Sequence, residues 1–195
     1  MITFAALMPH PPIVVPEVGG ERAQEASLTI RGMQAVAREL VQTRPETVVF
    51  LTPHGNVFSD CITCLIEPRL EGTLATFGHP EVAFSHPNDL KLVKAIGSLA
   101  EKNDINMIGI DKNTSTRYNL NPFLDHGILV PLYFLKKAGL GDRPTVAVSV
   151  GMLDNIQLYM VGKLIQEAAQ NLGRRVAVIA SGDMSHRLKN EGPYD

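Results

Sequence analysis

Tryptophan is missing from the chain, cysteine occurs only twice, and aromatic residues make up 6% of the whole. So few thiols exclude the disulfide framework that staples small secreted domains. Cys61 and Cys64 form a lone C-x-x-C in "SDCITCLIE", without the second pair or finger-spaced histidines that a zinc site needs. A thioredoxin-type redox pair would stand at a helix start. The flanking Ile62, Thr63, Leu65 and Ile66 favour a strand instead, in which positions 61 and 64 face opposite sides. The two cysteines therefore read as small buried residues in a reducing compartment. Neither sign of charge dominates, with 18 Lys and Arg against 20 Asp and Glu, so no basic face is offered to nucleic acid or an anionic membrane. No apolar run reaches membrane-spanning length, and the first residues lack a basic segment leading into an apolar one. The expected residence is the cytoplasm, with no nucleic-acid or membrane partner.

Against those absences stands an ordinary globular composition, 45% hydrophobic and 19% charged over 195 residues. The simplest organisation is one domain over 1–195, large enough to bury a substantial core. Strand-like runs lie at 3–7, 47–52, 61–67, 105–110, 145–150 and 176–180. Several are almost continuous in Val, Ile, Leu and Ala, as in strands covered on both faces. Helical periodicity fills the gaps. Over 21–43 it runs through Ala26, Ile30, Met33, Ala37 and Leu40, and over 155–172 through Leu158, Val161, Ile165, Ala168 and Leu172. Further helices are expected over 88–102, with Asn88 as N-cap, and over 127–138, ended by Gly139. The alternation predicts an α/β fold, a central mixed, largely parallel sheet flanked by helices on both faces. The stretches 67–87 and 111–125 read as long loops, of the kind that carry function. After the strand-like run ending at Ala180 the chain enters a polar stretch and stops at Asp195 without a covering helix, so the domain is expected to continue beyond it.

The six histidines are placed unevenly. "FAALMPHPP" and "VVFLTPHGN" each end an apolar run in Pro-His, presenting His10 and His54 at strand ends. His186 follows the strand-like run 176–180 after a short turn, and His126 in "NPFLDHGILVPL" stands where a loop meets a helix. Ligand sites in open α/β sheets gather beyond the carboxyl ends of the strands, so parallel strands would bring these imidazoles to one edge. His79 and His86, beside prolines with no strand end behind them, read as structural loop residues. Two imidazoles suit a first-row divalent metal, and a carboxylate would complete a facial triad with open positions on Fe(II). The prolines before His10 and His54 restrict the backbone and help hold each ring ready. The acids near the histidines are Asp60, Asp125, Asp183 and Asp195; Asp125 and Asp183 look like orienting groups beside ligands or substrate.

"MPHPP", "TPHG", "LDHGILVPL" and "SGDMSH", in this order, resemble the class III extradiol ring-cleavage dioxygenases, the LigB-type catalytic subunit family, over nearly the whole chain. The likeness is greatest to the LigB-like branch that includes the Memo-type proteins and a domain often fused to an AMME-syndrome candidate-type partner. The resemblance implies a LigB-like, phosphorylase/hydrolase-like sandwich, non-haem Fe(II) held by His10 and His54, and His186 as acid/base. It implies that His126 contacts substrate or oxygen, and that the third ligand is a Glu beyond Asp195; Memo-type relatives carry Cys there. The expected reaction is opening of a catechol-type aromatic diol by dioxygen, as in aromatic catabolism. Zinc is a possible substitute metal, and a homo-oligomer with a fused or separate partner domain is the expected assembly. The alternatives are a metal-dependent hydrolase and a non-catalytic Memo-like binding module. Arg117, Tyr118 and Asn119 are candidates to line the pocket and select a substrate carboxylate, against the plainer reading of a solvated loop.

Overall fold

Six apolar runs assemble into one sheet in the computed structural model of the protein, which describes residues 1–183. The strands are β1 (Ile2–Met8), β2 (Thr47–Thr52), β3 (Ile62–Leu65), β6 (Met107–Ile110), β7 (Thr145–Ser149) and β8 (Val176–Ser181), in the order β1-β8-β2-β7-β3-β6. β1, β8, β2 and β7 run parallel; β3 is antiparallel to β7, and β6 follows β3. The central strands β2 and β7 are buried almost throughout, which is why their sequences TVVFLT and TVAVS do not alternate. A short turn α1 (Pro16–Gly19) leads to α2 (Ser27–Gln42), which packs with α5 (His126–Lys137) on one face. α3 (Leu90–Lys102) and α6 (Asn155–Asn171) cover the other, and α4 (Lys112–Tyr118) follows β6. The mixed, largely parallel sheet with helices on both faces is the architecture that the alternation predicts.

Several boundaries differ from the sequence reading, each for a local reason. The helix expected from residue 21 begins as a 3₁₀ segment, Gly20–Ala26, in which only Ala23 is buried. With so little apolar face to press down, the regular helix starts at Ser27. The cap of α3 is Asp89 rather than Asn88: Asp89 Oδ1 accepts from the Leu92 amide at 3.2 Å. Asn88 instead donates its side-chain amide to the Leu65 and Glu67 carbonyls, both at 2.9 Å. Of the two expected long loops, residues 111–125 contain α4, capped by Asp111, whose Oδ1 accepts from the Thr114 amide at 2.7 Å.

The other expected loop is a hairpin. β4 (Arg69–Leu74) and β5 (His79–Pro87) pair antiparallel, with Gly78 in the left-handed conformation at the turn, φ 84°. Leu70, Gly72 and Leu74 point inward between the exposed Arg69, Glu71 and Thr73 and cover the outer side of α5. That explains why α5 is apolar all round: from Gly127 to Leu135 every residue is buried between sheet and hairpin. His79 and His86 are therefore strand residues, not loop residues. His79 pairs with Glu81 at 2.8 Å, while His86 is fully buried and donates from Nδ1 to the Arg143 carbonyl at 3.0 Å.

Both cysteines are buried and free, as the plain reading holds. Only Cys64 lies in β3; Cys61 precedes it, so the opposite-face expectation applies to one residue alone. Burial pushes the Cys64 thiol up to about 12, leaving it unreactive near neutrality. No helix among the described residues is long and apolar enough to cross a membrane.

Candidate metal centre

The carboxyl ends of β1, β8 and β2 lie side by side, and the residues just beyond them converge. His10 follows β1 by two positions, His54 follows β2 by two, and His126 opens α5. Their ring centroids are 4.6 Å (His10–His54), 4.2 Å (His54–His126) and 5.4 Å (His10–His126) apart. One ligand nitrogen from each lies within 4.8 Å of the others. His10 is buried, His126 half-buried and His54 exposed, so the cluster sits at the floor of an opening rather than in the core.

Backbone and side-chain bonds orient each ring. The His10 amide donates to Asp183 Oδ1 at 2.9 Å, and its Nδ1 meets the Ser181 hydroxyl at 2.7 Å. The His54 amide donates to Thr52 Oγ1 at 3.2 Å, and that hydroxyl donates to Asp125 Oδ1 at 2.7 Å. Asp125 is also the N-cap of α5, accepting from the Gly127 amide at 2.8 Å. Asp183 thus bonds the His10 backbone directly, and Asp125 the hydroxyl that receives the His54 amide. Gly55 is required by space: any side chain there would overlap the Ser149 hydroxyl at the end of β7. Asp60 stands apart in the turn before β3, exposed to solvent. His186 and Asp195 lie outside the described residues.

The electrostatics favour neutral imidazoles. Burial first, offset by the Asp183 carboxylate and reinforced by His54 and His126, holds His10 below the ordinary histidine value. Burial and then His54 lower His126, against the pull of Asp125 and Asp183. A neutral imidazole is the form that offers a lone pair to a metal.

A cavity of about 780 Å³ opens over His54 and His126. Its walls are the inner hairpin strands, including Gly72, Ala83 and Phe84, and the segment that carries Asn121, Phe123 and Leu124. Asn56 ties this segment down, donating to the Asn121 carbonyl at 2.7 Å and accepting from its amide at 2.9 Å. Arg117, Tyr118 and Asn119 do not line the cavity: the first two belong to α4, and Asn119 is its left-handed C-cap, φ 54°. Glu71 and Asp125 are the lining acids, and among the described residues no Lys or Arg joins them.

Residues 4–195 match the family described as the catalytic LigB subunit of aromatic ring-opening dioxygenase. The chain belongs to this family. It is 36% identical over 188 residues, 96% of its length, to Protein CA_C1420 of Clostridium acetobutylicum, of which the match covers 40%. It is 33% identical over 98 residues, half of the chain, to a MEMO1 family protein of Pyrococcus furiosus, covering 30% of that protein. The chain therefore spans less than half the length of these curated relatives. The family is metal-dependent, and the histidine cluster is a donor set that could hold a metal.

The donor set passes a simple geometric test. His10 Nε2 and His54 Nε2 are 2.8 Å apart. Two imidazoles bound cis to one ion at metal–nitrogen distances of about 2.1 Å would have their nitrogens about 3 Å apart. A carboxylate, Asp183 Oδ2, stands 3.7 Å from His10 Nε2 and adds negative charge beside that position.

Proposed function

We propose that the chain is the catalytic part of a non-haem Fe(II) extradiol dioxygenase that opens a catechol-type ring, with His10 and His54 as metal ligands. The observation that carries this reading is the pair of Nε2 atoms 2.8 Å apart, His10 buried and His54 lining a largely apolar cavity. Bound Fe(II) would supply a Lewis-acidic centre with positions open to the diol and to dioxygen. His126 adjoins that position: its ring centroid is 5.4 Å from that of His10 and 4.2 Å from that of His54, and one of its nitrogens lies within 4.8 Å of theirs. Neutral near pH 7, its ring can accept a proton from a diol hydroxyl or donate a hydrogen bond to an oxygen. His186 is assigned the second acid/base role on its motif, because an unperturbed imidazole titrates close to neutrality. Phe84, Phe123 and Leu124 offer the apolar walls that a flat aromatic ring needs and keep water from the reacting face. The acids Glu71 and Asp125, with no Lys or Arg beside them among the described lining residues, favour a diol without a carboxylate.

The test is anaerobic reconstitution with Fe(II), metal analysis, and oxygen uptake against a panel of neutral and acid-bearing catechols. Uptake on neutral catechols supports the reading. Stoichiometric zinc in the protein as isolated, with no uptake but with hydrolytic turnover, would replace it with a hydrolase. His126→Ala is expected to lower turnover by about 10²–10⁴-fold with the metal retained. The similarity to a MEMO1 family protein supports a second reading, a binding module that uses the same pocket without turnover. Metal occupancy with no oxygen consumption on any diol would favour it.

A further inference from the structure

Ser181, the first residue of "SGDMSH", closes β8 beside Met8 of β1, and the sequence gives it no role of its own. Its hydroxyl touches two groups. It lies 2.7 Å from His10 Nδ1 and 2.5 Å from the Gly127 carbonyl oxygen. A hydroxyl has one hydrogen. Two oxygens at 2.5 Å without a hydrogen between them repel, and a carbonyl can only accept, so the Ser181 hydrogen must point at Gly127. Toward His10 the hydroxyl is left with lone pairs alone. Nδ1 must therefore be the donor, whether the ring is neutral or charged.

We infer that Ser181, held by the Gly127 carbonyl, is a positioning residue that fixes the tautomer of His10, keeping the hydrogen on Nδ1 and the Nε2 lone pair toward the metal position. The role in metal binding rests on the reading of His10 as a ligand. Gly127 is the residue after His126, so one helix start carries His126 beside the histidine cluster and, through Ser181, fixes the His10 ring that would hold a metal. The same helix start acts on His54 through Asp125 and Thr52. Partners of this kind behind a ligating histidine typically change metal affinity by 10- to 100-fold when removed.

The experiment uses the full chain labelled with ¹⁵N-histidine, metal-free and loaded with Zn²⁺. Two-bond ¹H–¹⁵N correlation spectra distinguish an Nδ1–H ring from an Nε2–H ring, and chelator competition gives the Zn²⁺ affinity. The wild-type His10 ring should carry its hydrogen on Nδ1. Ser181→Ala should give a mixed tautomer pattern and a 10- to 100-fold weaker Zn²⁺ affinity, and Ser181→Thr, which keeps the hydroxyl, should restore both. Hydrogen on Nε2 in the metal-free wild type would overturn the proposal without any variant, so a poorly folding Ser181→Ala does not shield it. A folded Ser181→Ala with wild-type spectrum and affinity would overturn it too. Failure of the underlying ligand assignment looks different: His10→Ala would then bind Zn²⁺ as the wild type does, while the wild-type spectrum still showed Nδ1–H.

Discussion

Gly127 occupies a place where a methyl group has no room. A Cβ there would stand 2.5 Å from Thr52 Oγ1, 2.8 Å from Asp125 Oδ1 and 3.3 Å from Ser181 Oγ, the three groups that orient His54 and His10. Gly127→Ala should cost about 1–3 kcal/mol in denaturant unfolding and weaken metal binding at the same time. A variant that lost stability but kept wild-type metal affinity would show that these bonds are not coupled to the site. His86 tests a different property. Burial lowers its pKa below 6.5, only partly offset by the Arg143 carbonyl. The unfolded chain therefore takes up a proton at higher pH than the folded one does. Its stabilising effect is complete above about pH 6.5 and is lost as the pH falls from there toward the folded value. His10 and His126 are shifted in the same direction. Urea midpoints of the metal-free protein should drop between pH 7.5 and 5.5, and His86→Asn, which can still donate to the Arg143 carbonyl, should make the drop shallower. Equal slopes in both proteins would remove His86 from the account.

At the scale of elements, legibility followed burial pattern. β2 and β7 could be read almost to the residue because strands covered on both faces are continuous in apolar residues. The hairpin escaped because "RLEGTL" alternates over only six residues, with a glycine at one inward position and charges at two outward ones. It resembled a loop in composition, and only its packing on α5 gives Leu70 and Leu74 something to bury against. The site divided in the same way. Pro-His at two strand ends was visible, whereas the cavity wall came from the unread hairpin and from Asn121 to Leu124. Ser181 stood inside the motif "SGDMSH", but its role was not legible, since it exists only through a contact 171 residues away. The Asn56–Asn121 clip belongs to this scale. Asn56→Ala frees the wall segment without touching a histidine, so KM for a diol should rise several-fold while Fe(II) content stays constant. Loss of the metal in that variant would mean that the clip supports the histidines rather than the wall.

For the molecule as a whole, the sheet is secured at both ends. At its amino end the buried Asp89 accepts from Thr47 at 2.5 Å and from Arg174 at 2.8 Å, joining α3, β2 and the start of β8. Asp89→Ala strands a buried hydroxyl and most of a guanidinium, and should lower unfolding free energy by roughly 3 kcal/mol with the site intact. At the carboxyl end a bound ion would do the fastening. A metal at a hundred times its dissociation constant should stabilise the fold by about 2.7 kcal/mol, seen as a fall in Tm on chelation that His10→Ala abolishes. The strand order has one more consequence. β1 precedes the other strands in the sequence, yet among the described residues its only neighbour in the sheet is β8. As the chain emerges from the ribosome, His10 has neither a docked strand beneath it nor Ser181 behind it until the 171 residues that separate the two have followed. The surroundings of His10 are consequently completed late in synthesis: a nascent chain in which only β1 and β2 have emerged holds both Pro-His imidazoles, but His10 lacks the Ser181 and Asp183 contacts that aim it.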